Sequence, residues 1–271
     1  MITLAVVPSA TPGDSRTALE AVCSAVGELL GTTVRAANPE SYSALASELE
    51  KDRIQYAWMS PALVVLTEER IFLRPLLSAV RGDRTDYCAA LFVDGDQPIR
   101  TISALQGKTV AWVDHTSASG YLLPRFQLAA RGLDPDQLFG KQLVLGSHGE
   151  VVRAVFDGRA DAGATYAERP PEGQPIRRAG FCDVAPERSA RVLEWTTPIP
   201  NDVIVGHGLL PKVEHERFAT AILALAKRED GRKLLYNAFH AEQFTTTPRN
   251  ALKPLGELVR NARMHGLLNQ L

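Results

Sequence analysis

Residues 114–121 read Asp-His-Thr-Ser-Ala-Ser-Gly-Tyr, and three of them, Thr116, Ser117 and Ser119, put hydroxyls within four positions. Residues 109–113 before them are mostly apolar and read as a strand. Residues 122–130 after them read as a helix. A hydroxyl-rich turn between a strand and a helix has a specific chemistry. The first N–H groups of a helix lack internal partners and point outward, and the helix dipole adds partial positive charge there. Hydroxyl donors beside those N–H groups make a seat for a tetrahedral oxyanion. Capping of the helix would need one Ser or Thr, not three.

A second cluster of polar residues follows at Ser147-His148, where residues 141–145 read as a strand and Val151, Val152, Val155 and Phe156 as a helical face. Ser, Thr, Tyr and imidazole can all donate hydrogen bonds to an anion, and a protonated imidazole also suits its charge. Asp114 would repel a bound anion, so it is expected to face away and orient the turn. Ser147 and His148 are sequence neighbours, which does not make them a nucleophile and its base. No nucleophile elbow, phosphate-binding loop or metal-ligand spacing is present. No catalytic residue, metal or cofactor is expected. Cys23, Cys88 and Cys182 are odd in number and far apart, and read as structural.

The elements that must position these groups alternate. Residues 2–7 form an apolar strand closed by Pro8. Leu19, Val22, Cys23, Val26 and Leu30 follow helical spacing, and Gly31 is placed to end that helix. Strands at 32–36 and 54–58 flank a helix starting near Ser41. Ser60-Pro61 then opens another helix. The strand–helix unit recurs through 107–166. Such alternation predicts an α/β fold with mainly parallel sheets flanked by helices. Trp58 and Trp112, at strand ends, suit either a cleft wall or core packing.

Two polar segments, 81–86 and 196–202, separate the apolar runs and read as crossings between two lobes of like build. The expected lobes are 1–83 with 203–271, and 84–202, with two hinge crossovers and a ligand cleft between them. A pair of loops within one rigid domain is the alternative.

Composition limits the partners. The chain has 271 residues, 45% of them hydrophobic, and 30 basic against 31 acidic residues, for a net charge of −1. No basic block suggests nucleic acid, and no apolar run is long enough to span a bilayer. Residues 4–7 are too short for a signal-peptide core. The protein is therefore expected to be either exported, with its leader trimmed, and so periplasmic or on the cell surface, or cytoplasmic.

The chain resembles the phosphate- and phosphonate-binding proteins of ABC importers, which have the type II periplasmic-binding-protein fold. The resemblance covers most of residues 1–245. It is carried by Glu40-Ser41-Tyr42, Ala57-Trp58-Met59-Ser60-Pro61, residues 114–121, Gly146-Ser147-His148, Gly158-Arg159-Ala160-Asp161-Ala162-Gly163 and Pro198-Ile199-Pro200-Asn201-Asp202. By position it implies that Thr116, Ser117, Ser119 and His148 hold phosphoryl oxygens, with Tyr42 and Tyr87 assisting from the opposite lobe and the hinge. Acidic residues at the positions of Glu168 and Asp202 face the amine in relatives that take aminoalkylphosphonates. The resemblance implies a monomeric receptor that closes on a small phosphorus oxyanion and serves a transporter permease. A cytoplasmic ligand sensor and a cofactor-biosynthesis enzyme on the same fold are the alternatives.

Overall fold

The computed structural model describes residues 1–6, 15–115, 117–248 and 250–264. Thr116 lies outside the described residues, as does the side chain of Tyr42. The chain divides into two compact units, Met1–Thr85 with Pro200–Gly256, and Asp86–Ile199 with the chain from Glu257 on.

The first unit contains β1 (Ile2–Val6), α1 (Ser15–Leu30), β2 (Val34–Ala37), α2 (Tyr42–Glu50), β3 (Tyr56–Met59), α3 (Pro61–Glu68) and β4 (Leu73–Val80). After the second unit it resumes with β11 (Val203–His207), α8 (Lys212–Lys227), α9 (Glu229–Phe239) and β12 (Gln243–Thr246). Helix α10 (Lys253–Met264) is divided between the units at Gly256. The sheet order is β12-β4-β11-β3-β1-β2. The buried face of α1, Leu19, Val22, Cys23 and Val26, packs with Leu4, Tyr56, Phe218 and Phe239 in one core. Tyr56 and Phe218 stack with centroids 3.7 Å apart. Gly31 follows α1 with φ +64°, a conformation that suits glycine alone at little cost. Ser60 caps α3 by accepting the Leu63 N–H at 3.3 Å, with Pro61 at the first helical position.

The second unit contains β5 (Asp86–Asp94), β6 (Thr109–Trp112), α4 (Leu123–Ala130), α5 (Pro135–Leu138), β7 (Lys141–Val144), α6 (His148–Phe156) and β8 (Ala162–Ala167). Helix α7 (Gly180–Val184), β9 (Ala190–Trp195) and β10 (Ile199–Pro200) complete it. Its sheet runs β10-β5-β8-β6-β7, with β9 also paired to β5. Phe92, Ala111, Val151, Val155 and Phe181 form its core.

Both sheets are mixed, which corrects the expectation of mainly parallel strands. In the first, β1 is parallel to β2 and β3, whereas β11 is antiparallel to β3 and β4, and β12 to β4. In the second, β6 is parallel to β7 and β8, whereas β5 is antiparallel to β8 and β9. A parallel pair needs a crossover, usually a helix. That alternation holds through β1–β3 and β6–β8. It stops where strand follows strand, at β4–β5 and β9–β11.

Both tryptophans in question are packing residues. Trp112 is fully buried, and Trp58 rests on Phe239 at 5.0 Å and Phe244 at 5.9 Å. All three cysteines are free, and burial pushes the Cys23 thiol up to about 12.

Candidate functional site

In the second unit β7, β6 and β8 are adjacent and parallel, so their carboxyl ends share one edge of the sheet. Strand β5 is antiparallel to β8, with Cys88 opposite Ala167, which brings its start to the same edge. Open α/β sheets bind ligands at the carboxyl ends of parallel strands, where loops from neighbouring strands converge. Here those loops carry Ser117 and Ser119 after β6, His148 after β7 and Glu168 after β8, while Tyr87 lies at the start of β5. Backbone bonds tie the first two loops together. Leu145 N–H donates to the Trp112 carbonyl at 2.9 Å, and Gly146 N–H to the Val113 carbonyl at 2.7 Å.

The chain does not pass straight from β6 into an α-helix. Ala118–Leu122 forms one π-helical turn before α4 begins. Leu122 N–H donates to the Ser117 carbonyl, five residues back, at 2.9 Å. Such wide turns are rare and frequently lie at functional sites. Ser117 Oγ accepts the Gly120 N–H at 3.1 Å, so this hydroxyl does cap the turn. Ser119 is 3% exposed, and Ser117 is half-buried. A Cβ on Gly120 would lie 2.6 Å from Val113 Cβ and 2.8 Å from Ser117 Oγ. Only glycine lets the turn fold back this tightly on the end of β6. The Gly120 carbonyl completes the contact by accepting the Val113 N–H at 3.1 Å. The Asp114 carbonyl accepts the Ser117 N–H at 3.2 Å, so its backbone helps to shape the turn.

His148 opens α6, and Ser147 caps that helix by accepting the Glu150 N–H at 3.2 Å. The imidazole Nδ1 is 3.0 Å from Thr165 Oγ1, and the ring meets Tyr166 edge-on at 5.0 Å. Burial lowers the His148 pKa to about 4, against the opposing pull of the Asp114 charge. The imidazole is therefore neutral at neutral pH. A neutral ring still donates one hydrogen bond. Thr165 is fully buried beneath it, and Gly180 packs so closely that any side chain there would collide with Thr165 Oγ1. Sequence reading missed Thr165. The available signal was a threonine beside Tyr166 in the otherwise small, apolar run of β8.

The site thus joins a hydroxyl turn and a neutral imidazole on one sheet edge. Residues 4–250 match the family described as "ABC transporter, phosphonate, periplasmic substrate-binding protein". The chain belongs to this family. Its fold is that of type II periplasmic binding proteins, and several solved structures share it. A Xanthomonas citri protein solved with ATP is 22% identical, with a TM-score of 0.80 over 97% of this chain and 98% of that one. A binding component of a phosphonate ABC transporter from Pseudomonas aeruginosa is 19% identical, with a TM-score of 0.74 over 95% and 84%. A Prochlorococcus marinus protein in complex with methylphosphonate is 17% identical, with a TM-score of 0.74 over 97% and 98%.

In this phosphonate-transporter binding protein the remaining candidates fall on both units. Tyr87 is half-buried on β5. Tyr42 is the first residue of α2, behind the Ser41 cap, at the carboxyl side of β2. Asp202 precedes β11, where Val203 lies opposite Met59 at the carboxyl end of β3. The two acids already hold cations. Glu168 pairs with Arg178 at 3.4 Å, and Asp202 with Arg81 at 2.8 Å. Arg81 also donates to the carbonyls of His240 and Phe239. Beside it Asn201, 2% exposed, donates to the carbonyls of Ala79 and Arg84. Asp202 therefore belongs to a lattice that stitches the two crossing segments. At either acid the neighbouring guanidinium already offsets the carboxylate charge that would attract an ammonium, which argues against their expected role as an amine pocket.

Proposed function

We propose that this protein captures a small phosphorus oxyanion, a phosphonate first and phosphate or phosphite as related ligands, and hands it to the permease of an ABC importer. Ser117, Ser119, Thr116, the N–H groups of the turn not donated within it and His148 take the phosphoryl oxygens, with Tyr87 and Tyr42 adding donors. If Thr165 donates to His148 Nδ1, the imidazole proton sits on Nε2, free to be given to the ligand. The observation that carries this reading is the convergence of the hydroxyl turn and a neutral His148 at the carboxyl edge of β6 and β7.

All these groups are neutral donors, so their dipoles supply the positive potential without fixed charge. Hydrogen bonds to a charged ligand contribute about 1.5–3 kcal/mol each, enough together for micromolar binding after desolvation and closure are subtracted. The units close about the crossings at 81–86 and 196–202, because a ligand held by both favours the closed state. The protein acts as a monomeric receptor and releases its ligand unchanged.

Calorimetry with methylphosphonate tests the reading. Ser117→Ala and Ser119→Ala should each weaken binding about tenfold, the loss of one good hydrogen bond to an anion. Circular dichroism should remain that of the native protein. Unchanged affinity in both variants would remove the turn from the site.

A further inference from the structure

The π-helical turn rests on a polar cluster, built around a buried Arg125, that the ligand chemistry leaves unused. Arg125 on α4 is 3% exposed and lies one helical turn beyond Tyr121, on the same face. Its guanidinium is 4.9 Å from the centre of the Tyr121 ring and 6.0 Å from that of Trp112. Arg125 Nη2 donates to both Asp136 carboxylate oxygens at 2.9 Å, and Nη1 to Gln142 Oε1 at 2.8 Å. Gln142 Oε1 also accepts the Trp112 indole N–H at 2.7 Å, and the Gln142 amide donates to Asp136 at 2.8 Å. The cluster thus ties β6, β7, α4 and α5 at one point.

Arg125 Nε is buried without a hydrogen-bond partner. Aromatic faces stand beside the guanidinium in place of an acceptor, an attraction that strengthens when water is excluded. Tyr121 is the residue this arrangement fixes. Its ring also meets Trp112 edge-on at 5.7 Å and His115 edge-on at 4.7 Å. Tyr121 belongs to the π-helical turn, and its N–H donates to the Ser117 carbonyl at 3.1 Å. Burying a guanidinium is costly, and anchoring a helix does not require one.

We propose that Arg125 is a positioning residue for the oxyanion seat: acting through Tyr121, it holds the π-helical turn in the geometry that presents Ser117 and Ser119. The inference rests on the reading of that turn given above. A purely structural Arg125 would lower stability and leave the affinity of the folded protein unchanged. A positioning Arg125 changes affinity, and does so through the turn.

Calorimetry on the full chain with methylphosphonate separates the two. Arg125→Met should weaken binding about tenfold, the weight of one desolvated cation–π contact. Adding Ser119→Ala to it should cost at most about a further twofold, because both changes spoil one element. Wild-type affinity in Arg125→Met, or losses that multiply in the double variant, would overturn the proposal. Arg125→Lys covers the case in which the methionine variant fails to fold. It keeps the charge and loses the fork to Asp136 and Gln142, so affinity should fall about threefold, and unchanged affinity would again overturn the proposal. If Ser119→Ala alone binds as wild type, the seat itself is misassigned and this inference falls with it. If Ser119→Ala weakens binding and neither Arg125 variant does, only the positioning role fails.

Discussion

His148 makes the stability of this protein depend on acid in a calculable way. Its pKa is 6.5 in an unperturbed chain and about 4 in the folded one, because burial disfavours the imidazolium more than Asp114 favours it. As pH falls below 6.5 the unfolded chain takes up a proton that the folded chain refuses. The stabilisation is therefore complete above 6.5, is lost progressively from 6.5 to about 4, and changes no further below that. The gap sets a ceiling of about 3 kcal/mol, and partial solvent contact brings it nearer to about 2 kcal/mol. Urea unfolding of wild type and His148→Gln at pH 7.5 and 4.5 measures it. Glutamine can still reach Thr165 but does not titrate. The stability of wild type relative to the variant should drop by about 2 kcal/mol between those pH values. Parallel curves for the two proteins would refute the argument. A bound anion would raise the same pKa, so ligand binding at pH 5.5 should take up protons, seen as a dependence of the binding heat on buffer ionisation enthalpy.

Gly120→Ala should cost about 1–3 kcal/mol of stability and weaken methylphosphonate binding together, since the new methyl group has no room between Val113 and Ser117. Thermal melts and calorimetry check both, and a variant with native affinity would show that the turn's shape is not what the ligand reads. Glu168→Gln should weaken aminoethylphosphonate and ethylphosphonate by the same factor, because the Arg178 guanidinium already offsets the charge of the carboxylate. A loss confined to the amino ligand would return Glu168 to the role of ammonium partner.

Much of this fold could be read from spacing alone. The α1 stripe of Leu19, Val22, Cys23 and Val26 is a 3.6-residue pattern, and it faces the core as written. The strand–turn–helix at 109–130 and the start of α6 at Ser147-His148 were equally legible, because local rules govern them. What escaped depends on distant partners. The antiparallel entry of β11 beside β3 leaves no local trace. Nor does the burial of Thr165 under His148, or the guanidinium partners of Glu168 and Asp202. The π-helical turn is a packing outcome of Gly120 against Val113, and neither residue announces it.

The placement of β11 bears on how the chain is made. Every strand of the second sheet comes from the unbroken stretch 86–200, so that sheet can be complete soon after residue 200 leaves the ribosome. The first sheet cannot. Its β3 and β4 are separated by the missing β11, synthesised more than a hundred residues later. The amino-terminal segment must therefore wait with one edge of β3 and both edges of β4 unpaired, a hazard for association with other nascent chains. Expression at low temperature or with chaperones should help this half of the molecule first, and truncation before residue 203 should leave an aggregating product whose soluble remnant is the Asp86–Ile199 part of the second unit.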